Sequence, residues 1–144
     1  MNGVRSPPDR LREFARRYTD AWCSQDPARV AEHCAPDGSL TINDGPPSVG
    51  RAAITEAARS FMVAFPDMQV LIEDLLIHGA RAEYRWTLVG TNTGPGGMGR
   101  RVRISGFEEW TIGDDGLIAA SLGHYDQAEY ERQLERGVEE PYAL

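Results

Sequence analysis

Positive charge, cysteine and long apolar runs are what this sequence has least of, and each shortage removes a class of function. Its 15 Lys and Arg against 22 Asp and Glu leave a formal net charge of −7. That balance argues against nucleic acid or an anionic membrane as a partner. No apolar run approaches the roughly 20 residues of a membrane-spanning helix. The amino terminus shows no apolar signal-peptide core, so a cytoplasmic location is expected. The two cysteines, Cys23 and Cys34, become neighbours if their helices pack together; without a secretory signal they are expected to stay reduced and structural. No grouping of His, Cys, Asp and Glu has metal-ligand spacing, and no Ser/His/Asp triad is suggested, so neither a metal nor an organic cofactor is expected. The glycine-dense stretch 93–100 lacks the Gly-Lys-Ser/Thr ending of a phosphate loop. It reads as a flexible lip over a cavity or as a loose hairpin.

What remains is an ordinary globular composition, 41% hydrophobic over 144 residues. The simplest organisation is one domain over residues 1–144 with its core at about 9–137, without internal repeat or boundary. Ser6-Pro7-Pro8-Asp9 reads as a helix start, followed by an apolar stripe of Leu11, Phe14, Ala15, Tyr18 and Trp22. Asp26-Pro27 repeats the signal and opens a short helix to about Cys34. Pro36-Asp37-Gly38 is expected as a turn, 39–43 as a short strand and 45–50 as a loop. A third helix carries Ile54, Ala57, Ala58, Phe61 and Phe65 inward and stops at Pro66. From there four long strands are expected, at 68–77, 82–93, 102–112 and 117–125. Asp126-Gln127-Ala128-Glu129 has capping-box spacing and opens a last helix to about Gly137.

The stretch 100–134 carries the sharpest chemistry. Val102, Ile104, Gly106, Glu108, Trp110 and Ile112 alternate onto one strand face, which is apolar except for Glu108. A turn centred on Asp114-Asp115 pairs Glu108 with Ser121 and Gly106 with Gly123. Tyr125 then shares the Glu108 face and His124 the opposite one; a turn of odd length reverses this. The alternative is a bulge that turns Glu108 outward, to which Phe107 on the polar face would point. Burial in an apolar pocket would raise the pKa of Glu108. His124 is either catalytic or a packing or dimer-facing residue. His33 is expected as a satisfied core or surface histidine, and Arg85 as a sheet-face arginine.

Helices first and a run of long strands afterwards mean α+β, with helices packed on one face of a curved antiparallel sheet. Such a half-cone leaves an internal pocket between the layers.

Several phrases resemble the SnoaL-like polyketide cyclases, of the fold shared with nuclear transport factor two and ketosteroid isomerase. They are Arg17-Tyr18 through Asp26-Pro27, Ala35-Pro36-Asp37, Ala64-Phe65-Pro66-Asp67, Trp86 through Gly94, Asp115-Gly116-Leu117-Ile118, Tyr125-Asp126 and Arg132-Gln133-Leu134. They span about residues 12–134. The resemblance implies the half-cone fold and a homodimer joined through the outer sheet face, for which Phe107, Leu88 or Ile118 could serve. It places the oxyanion-binding tyrosine of ketosteroid isomerase at Tyr18 and that enzyme's second, acidic donor at Glu108. The isomerase's general base falls on Ile42, the cyclases' acid–base aspartate on Gly123, and the usual histidine of a Gly-Thr-His-Thr-Gly phrase on Asn92.

Together these readings lead to a polyketide cyclase-like enzyme that closes a ring in a hydrophobic carbonyl compound. Tyr18, Glu108 and His124 are the catalytic candidates. Trp22, Trp110 and Tyr125 would line the pocket, with Asn92 at its lip. The other readings are a double-bond isomerase or dehydratase and a non-catalytic, small-molecule-binding dimer.

Overall fold

The computed structural model describes residues 6–138. Helix α1 (Pro7–Cys23) begins where the sequence signals it: the Ser6 hydroxyl accepts from Asp9 N at 3.2 Å, and Pro7 occupies the first turn. Phe14, Ala15, Tyr18 and Trp22 form its buried stripe. Helix α2 (Pro27–Ala31) is capped by the Asp26 carboxylate, which accepts from Ala28 N. It is shorter than expected because the sheet captures the chain first. Ile118 N donates to His33 O at 3.0 Å and Cys34 pairs with Ile118, so Cys34 starts a strand instead of ending a helix. Both cysteines are free thiols, on different elements.

Strand β1 (Cys34–Ile42) therefore starts before the expected Ser39, and Pro36-Asp37-Gly38 forms an irregularity inside it rather than a turn. Gly38 is required at that irregularity, since a Cβ there would lie 2.8 Å from Ile118 O. The short β2 (Ser48–Val49) pairs with β1 within the stretch read as a loop. Helix α3 (Arg51–Ala64) buries Ile54, Ala58 and Met62 and gives way to an extended Phe65 before Pro66. The strands β3 (Gln69–His78), β4 (Arg81–Thr91), β5 (Arg101–Ile112) and β6 (Ile118–Tyr125) follow, and α4 (Gln127–Arg136) closes the described chain. Asp126 Oδ1 caps α4 through Glu129 N at 3.0 Å. Gln133 docks the helix by accepting from Arg103 N of β5 at 2.8 Å.

The sheet has the order β2-β1-β6-β5-β4-β3. Its long strands pair antiparallel except for β1 and β6, which run parallel, so the sheet is mixed rather than wholly antiparallel. The fold is the expected α+β arrangement, helices packed on an open sheet with the core between them. Among the described residues, no helix is long and apolar enough to cross a membrane.

The β5–β6 register differs from the expected one by two residues: Glu108 pairs with Gly123 and Gly106 with Tyr125. The connection holds a wider turn, with Gly116 at positive φ, and a register shift beyond Thr111. A slip of two leaves every side chain on its face. Glu108 points inward, only 7% exposed, and the β4–β5 ladder runs past it without a bulge. Leu88 and Ile118, considered for a dimer face, are both buried on the inner side, because the alternation of β4 and β6 turns them to the core. Phe107 is on the outer face, under the Arg85 guanidinium and beside the His124 ring.

Candidate active site

Glu108 is the buried carboxylate around which three elements converge. Its Oε1 accepts from Tyr18 OH of α1 at 2.8 Å, from Trp110 Nε1 of its own strand at 2.9 Å, and from Ser121 Oγ of β6 at 2.8 Å. Among the described residues, its Oε2 has only the longer contact of the same Tyr18 hydroxyl, at 3.1 Å. The donors are themselves fixed by aromatic packing. Trp110 stacks on Tyr84 of β4 with centroids 4.8 Å apart, and Tyr18 meets both rings edge-on. The Tyr84 hydroxyl shares a hydrogen bond with Thr19 Oγ1, which donates to Ala15 O. Such a network holds the carboxylate in one orientation.

Burial pushes the Glu108 carboxyl above its usual range, and the hydrogen bonds from Trp110, Ser121 and Tyr18 oppose that rise without cancelling it. Burial, and then the negative charge of Glu108, hold the Tyr18 hydroxyl well above its usual value, so it stays protonated as a donor. The Cys34 thiol is pushed up to about 12, mainly by burial and next by Glu108, which leaves it a poor nucleophile near neutrality. With Oε1 saturated, Oε2 is the atom of Glu108 able to take or give a proton.

Glu108 borders an apolar cavity of about 60 Å³ between the helices and the sheet. Trp22, Phe61, Trp86, Leu88, Tyr125 and Tyr130 provide much of its wall. That volume holds a few waters, so the walls must part to admit an organic ligand. Tyr125 and Tyr130, half-buried and edge-to-face at 5.3 Å, belong to the half-buried part of that wall together with Ile42, Phe61 and Trp86. The positions of the two bases named by the resemblance, Ile42 and Gly123, pair with each other in the β1–β6 ladder and both line the cavity.

Of the expected site residues, the structure brings Tyr18, Glu108 and Trp110 into one hydrogen-bonded cluster and sets Trp22 and Tyr125 in the cavity wall. Tyr18 and Trp110 hold Glu108 and are not part of that wall. His124 lies elsewhere: it is on the outer face, its Nε2 3.0 Å from Glu109 Oε1. Asn92 is also elsewhere, buried and donating to Ala64 O at the end of α3. It fastens the 92–100 loop, accepting from Gly99 N and donating its backbone N–H to Arg100 O. Asp44 lines a second, open concavity of about 710 Å³ that shares Trp86 and Tyr125 with the first and also touches Arg85, Phe107 and His124. Ser121, expected opposite Glu108, donates to it, and Phe61, Trp86 and Tyr130 line the cavity without having been expected there. Alternation along β4 places Trp86 on the inner face with Tyr84 and Leu88; Phe61 and Tyr130 had no signal specific to the site. His33 packs against Phe14 and Tyr18 with Nδ1 bonded to Arg29 O, as a satisfied histidine. Among the described residues, no three His, Cys, Asp or Glu side chains gather as a metal site.

A sheet backed by helices around one inward carboxylate defines a protein of the ketosteroid isomerase-like fold class, and solved structures agree. A candidate SnoaL-like polyketide cyclase from Jannaschia sp. CCS1 superposes with a TM-score of 0.79 at 16% identity, covering 95% of this chain and all of that one. TsrD from Streptomyces laurentii gives 0.77 at 25% identity, over 90% and 98% of the two chains. SalBIII, an epoxide hydrolase/cyclase-like enzyme in pyran ring formation in the polyether salinomycin, gives 0.73 at 17%, over 85% and 95%. No curated protein matches the chain. The model of the SnoaL-like polyketide cyclase family matches residues 12–134, and the chain belongs to that family.

Proposed function

We propose that this protein is a cofactor-independent cyclase that closes a ring in a hydrophobic, carbonyl-containing intermediate of polyketide type, with Glu108 as its acid–base group. The observation that carries this reading is the asymmetry of the Glu108 carboxylate, one oxygen fixed by three donors and the other held by the longer Tyr18 contact, on a residue that borders an apolar cavity. In the proposed reaction Oε2 takes the proton from a carbon next to a carbonyl. The enolate carbon attacks a second carbonyl carbon of the same chain, and the alkoxide so formed takes the proton back from Glu108. No other reactant is consumed.

A raised pKa makes Glu108 a stronger base than a solvated carboxylate. The cavity supplies the rest by folding a flexible chain so that its reacting ends meet. Tyr18, Trp110 and Ser121 are positioning residues in this scheme: their protons are committed to Glu108, so Tyr18 orients the base instead of binding a substrate oxygen. SalBIII, an epoxide hydrolase/cyclase-like enzyme with a role in pyran ring formation, lends support as a protein of the same fold, and a homodimer remains part of the proposal by family kinship.

The test is turnover by Glu108→Gln, which keeps the acceptor oxygen and removes the base. Assayed on linear poly-β-ketone chains, it should lose about 100-fold or more in kcat. Full activity in a folded Glu108→Gln protein overturns the mechanism, and tight product binding by a wild-type protein without turnover points to a carrier.

A further inference from the structure

Trp86 belongs to none of the hydrogen-bonded groups around Glu108, although it lines the same cavity. Its Nε1 is sealed from solvent and has no hydrogen-bond partner among the described residues. Among the described residues the other such buried side-chain atom is Glu83 Oε2, which is ion-paired with Arg85. An orphaned buried N–H is costly to leave unpaired, a cost a protein recovers when a ligand brings an acceptor. The ring is held in place: a Cβ on Gly106 would fall 2.6 Å from its Cζ2, so the bare glycine makes room for the indole.

Its place in the sheet aligns it with the base. Trp86 pairs with Gly106 and Tyr84 with Glu108, so Trp86 and Glu108 are diagonal neighbours on the inner face of β4 and β5. Diagonal neighbours of this kind are roughly 7–8 Å apart, within reach of long side chains. Most other polar side chains near the carboxylate are spoken for; the exception is Tyr125, which pairs with Gly106 across β5 and β6 and is half-buried. Tyr18, Trp110 and Ser121 donate to Glu108, and Tyr84 is bonded to Thr19.

We propose that the Trp86 indole N–H is the hydrogen-bond donor that receives the carbonyl oxygen of the ligand, fixing that carbonyl beside Glu108 in the cavity. The ligand class is an aromatic or polyunsaturated ketone: a single oxygen acceptor meets Nε1, and apolar surface meets Phe61, Leu88 and Tyr130. If the acid–base reading of Glu108 holds, the same N–H faces the oxygen on which enolate charge develops. The inference rests on that reading only for its catalytic consequence, since carbonyl binding needs no proton transfer.

The experiment follows the indole N–H signals of the full chain labelled with 15N-tryptophan, three in all for Trp22, Trp86 and Trp110. Trp86→Phe assigns the signal of interest. The probes are 2-acetylnaphthalene and 2-ethylnaphthalene, alike in shape but differing in the carbonyl. The ketone should move the Trp86 signal downfield and the hydrocarbon should not, in the wild type and in Glu108→Gln alike. The wild type should also bind the ketone roughly three- to tenfold more tightly than the hydrocarbon, the worth of one hydrogen bond, and Trp86→Phe should erase that preference. Equal responses to both probes overturn the proposal. So does a still Trp86 signal while the Tyr125 and Tyr130 ring resonances report that the ketone is bound. The response in Glu108→Gln separates the two ideas: turnover retained there removes the base and leaves the Trp86 contact standing.

Discussion

Glu108 and Gly123 face each other across β5 and β6, and a Cβ built on Gly123 would lie 3.8 Å from Glu108 Cγ and 3.5 Å from Thr41 O. Both are ordinary contact distances, and the backbone of Gly123 is not in the left-handed region. A side chain at this position would therefore fit, and it would point at the carboxylate. Gly123→Ala should fold with a stability within about 0.5 kcal/mol of wild type. Gly123→Asp sets a second carboxylate beside the first in an apolar site, where both cannot ionise cheaply. Its stability should fall by about 1–3 kcal/mol at neutral pH. Two raised carboxyl pKa values mean that this loss grows as pH rises above the ordinary carboxyl range. Melting curves of the two variants at acid and neutral pH check it; an aspartate variant as stable as the alanine one at pH 7 would refute the juxtaposition.

Glu108 should make the wild type lose stability as pH rises. Its folded pKa lies above the unfolded value of about 4.3. Below that value the carboxyl is neutral in both states and costs nothing. Through the window between the unfolded and folded values, the unfolded chain ionises and the folded one resists, so the folded state is progressively penalised. Glu108→Gln carries no such term, so its stability relative to wild type should climb from about pH 4 upward and level off once the raised folded value is passed. Urea unfolding across that range decides it. A constant difference would mean that Glu108 is not buried as a titrating group.

Tyr18→Phe should separate positioning from direct catalysis. It removes one of three donors on Oε1 and the only hydroxyl contact of Oε2, so the Glu108 carboxylate is less stabilised and its pKa rises further. The acid limb of the pH profile of kcat/KM should then shift to higher pH, with activity largely recovered on the alkaline side. Stability should drop by about 1 kcal/mol. A uniform loss of kcat at every pH, with no shift of the limb, would return Tyr18 to the role of a donor to substrate.

The inward Glu108 was legible because one carboxylate interrupts a period-two run of apolar residues, and that signal survives a slip of two residues in register. Tyr18 was legible for the same kind of reason, as the polar-tipped member of a helical stripe. The hydrogen bond of Trp110 to the neighbouring Glu108 was not, since its ring is oriented by stacking on Tyr84 of another strand. Ser121 was expected directly opposite Glu108; it pairs with Trp110 and reaches the carboxylate diagonally. Local signals also extended α2 to Cys34, because nothing near Asp26 reveals that β6 will claim the chain. The parallel β1–β6 pair is of the same kind, joining segments from opposite ends of the fold.

Asn92 was read from its neighbours as a substrate ligand at a lip, and its bonds make it a fastening. Nδ2 donates to Ala64 O at 3.1 Å, which satisfies a carbonyl at the carboxyl end of α3. The loop is pressed onto the same helix end, where a Cβ on Gly94 would fall 2.0 Å from Val63 O. Asn92→Ala should therefore cost about 1–2 kcal/mol in urea unfolding and speed amide exchange across 93–99. Turnover of the folded variant should keep its KM within about twofold, since a residue that does not touch substrate leaves uniform binding intact. Asn92→Asp should be worse than alanine, because it sets a carboxylate against the Ala64 carbonyl and supplies no donor. A ligand residue would give the reverse pattern, a KM raised tenfold or more at unchanged stability, about 1.4 kcal/mol of lost binding. Measuring both quantities on the one alanine variant tells the roles apart, since each role moves one and spares the other.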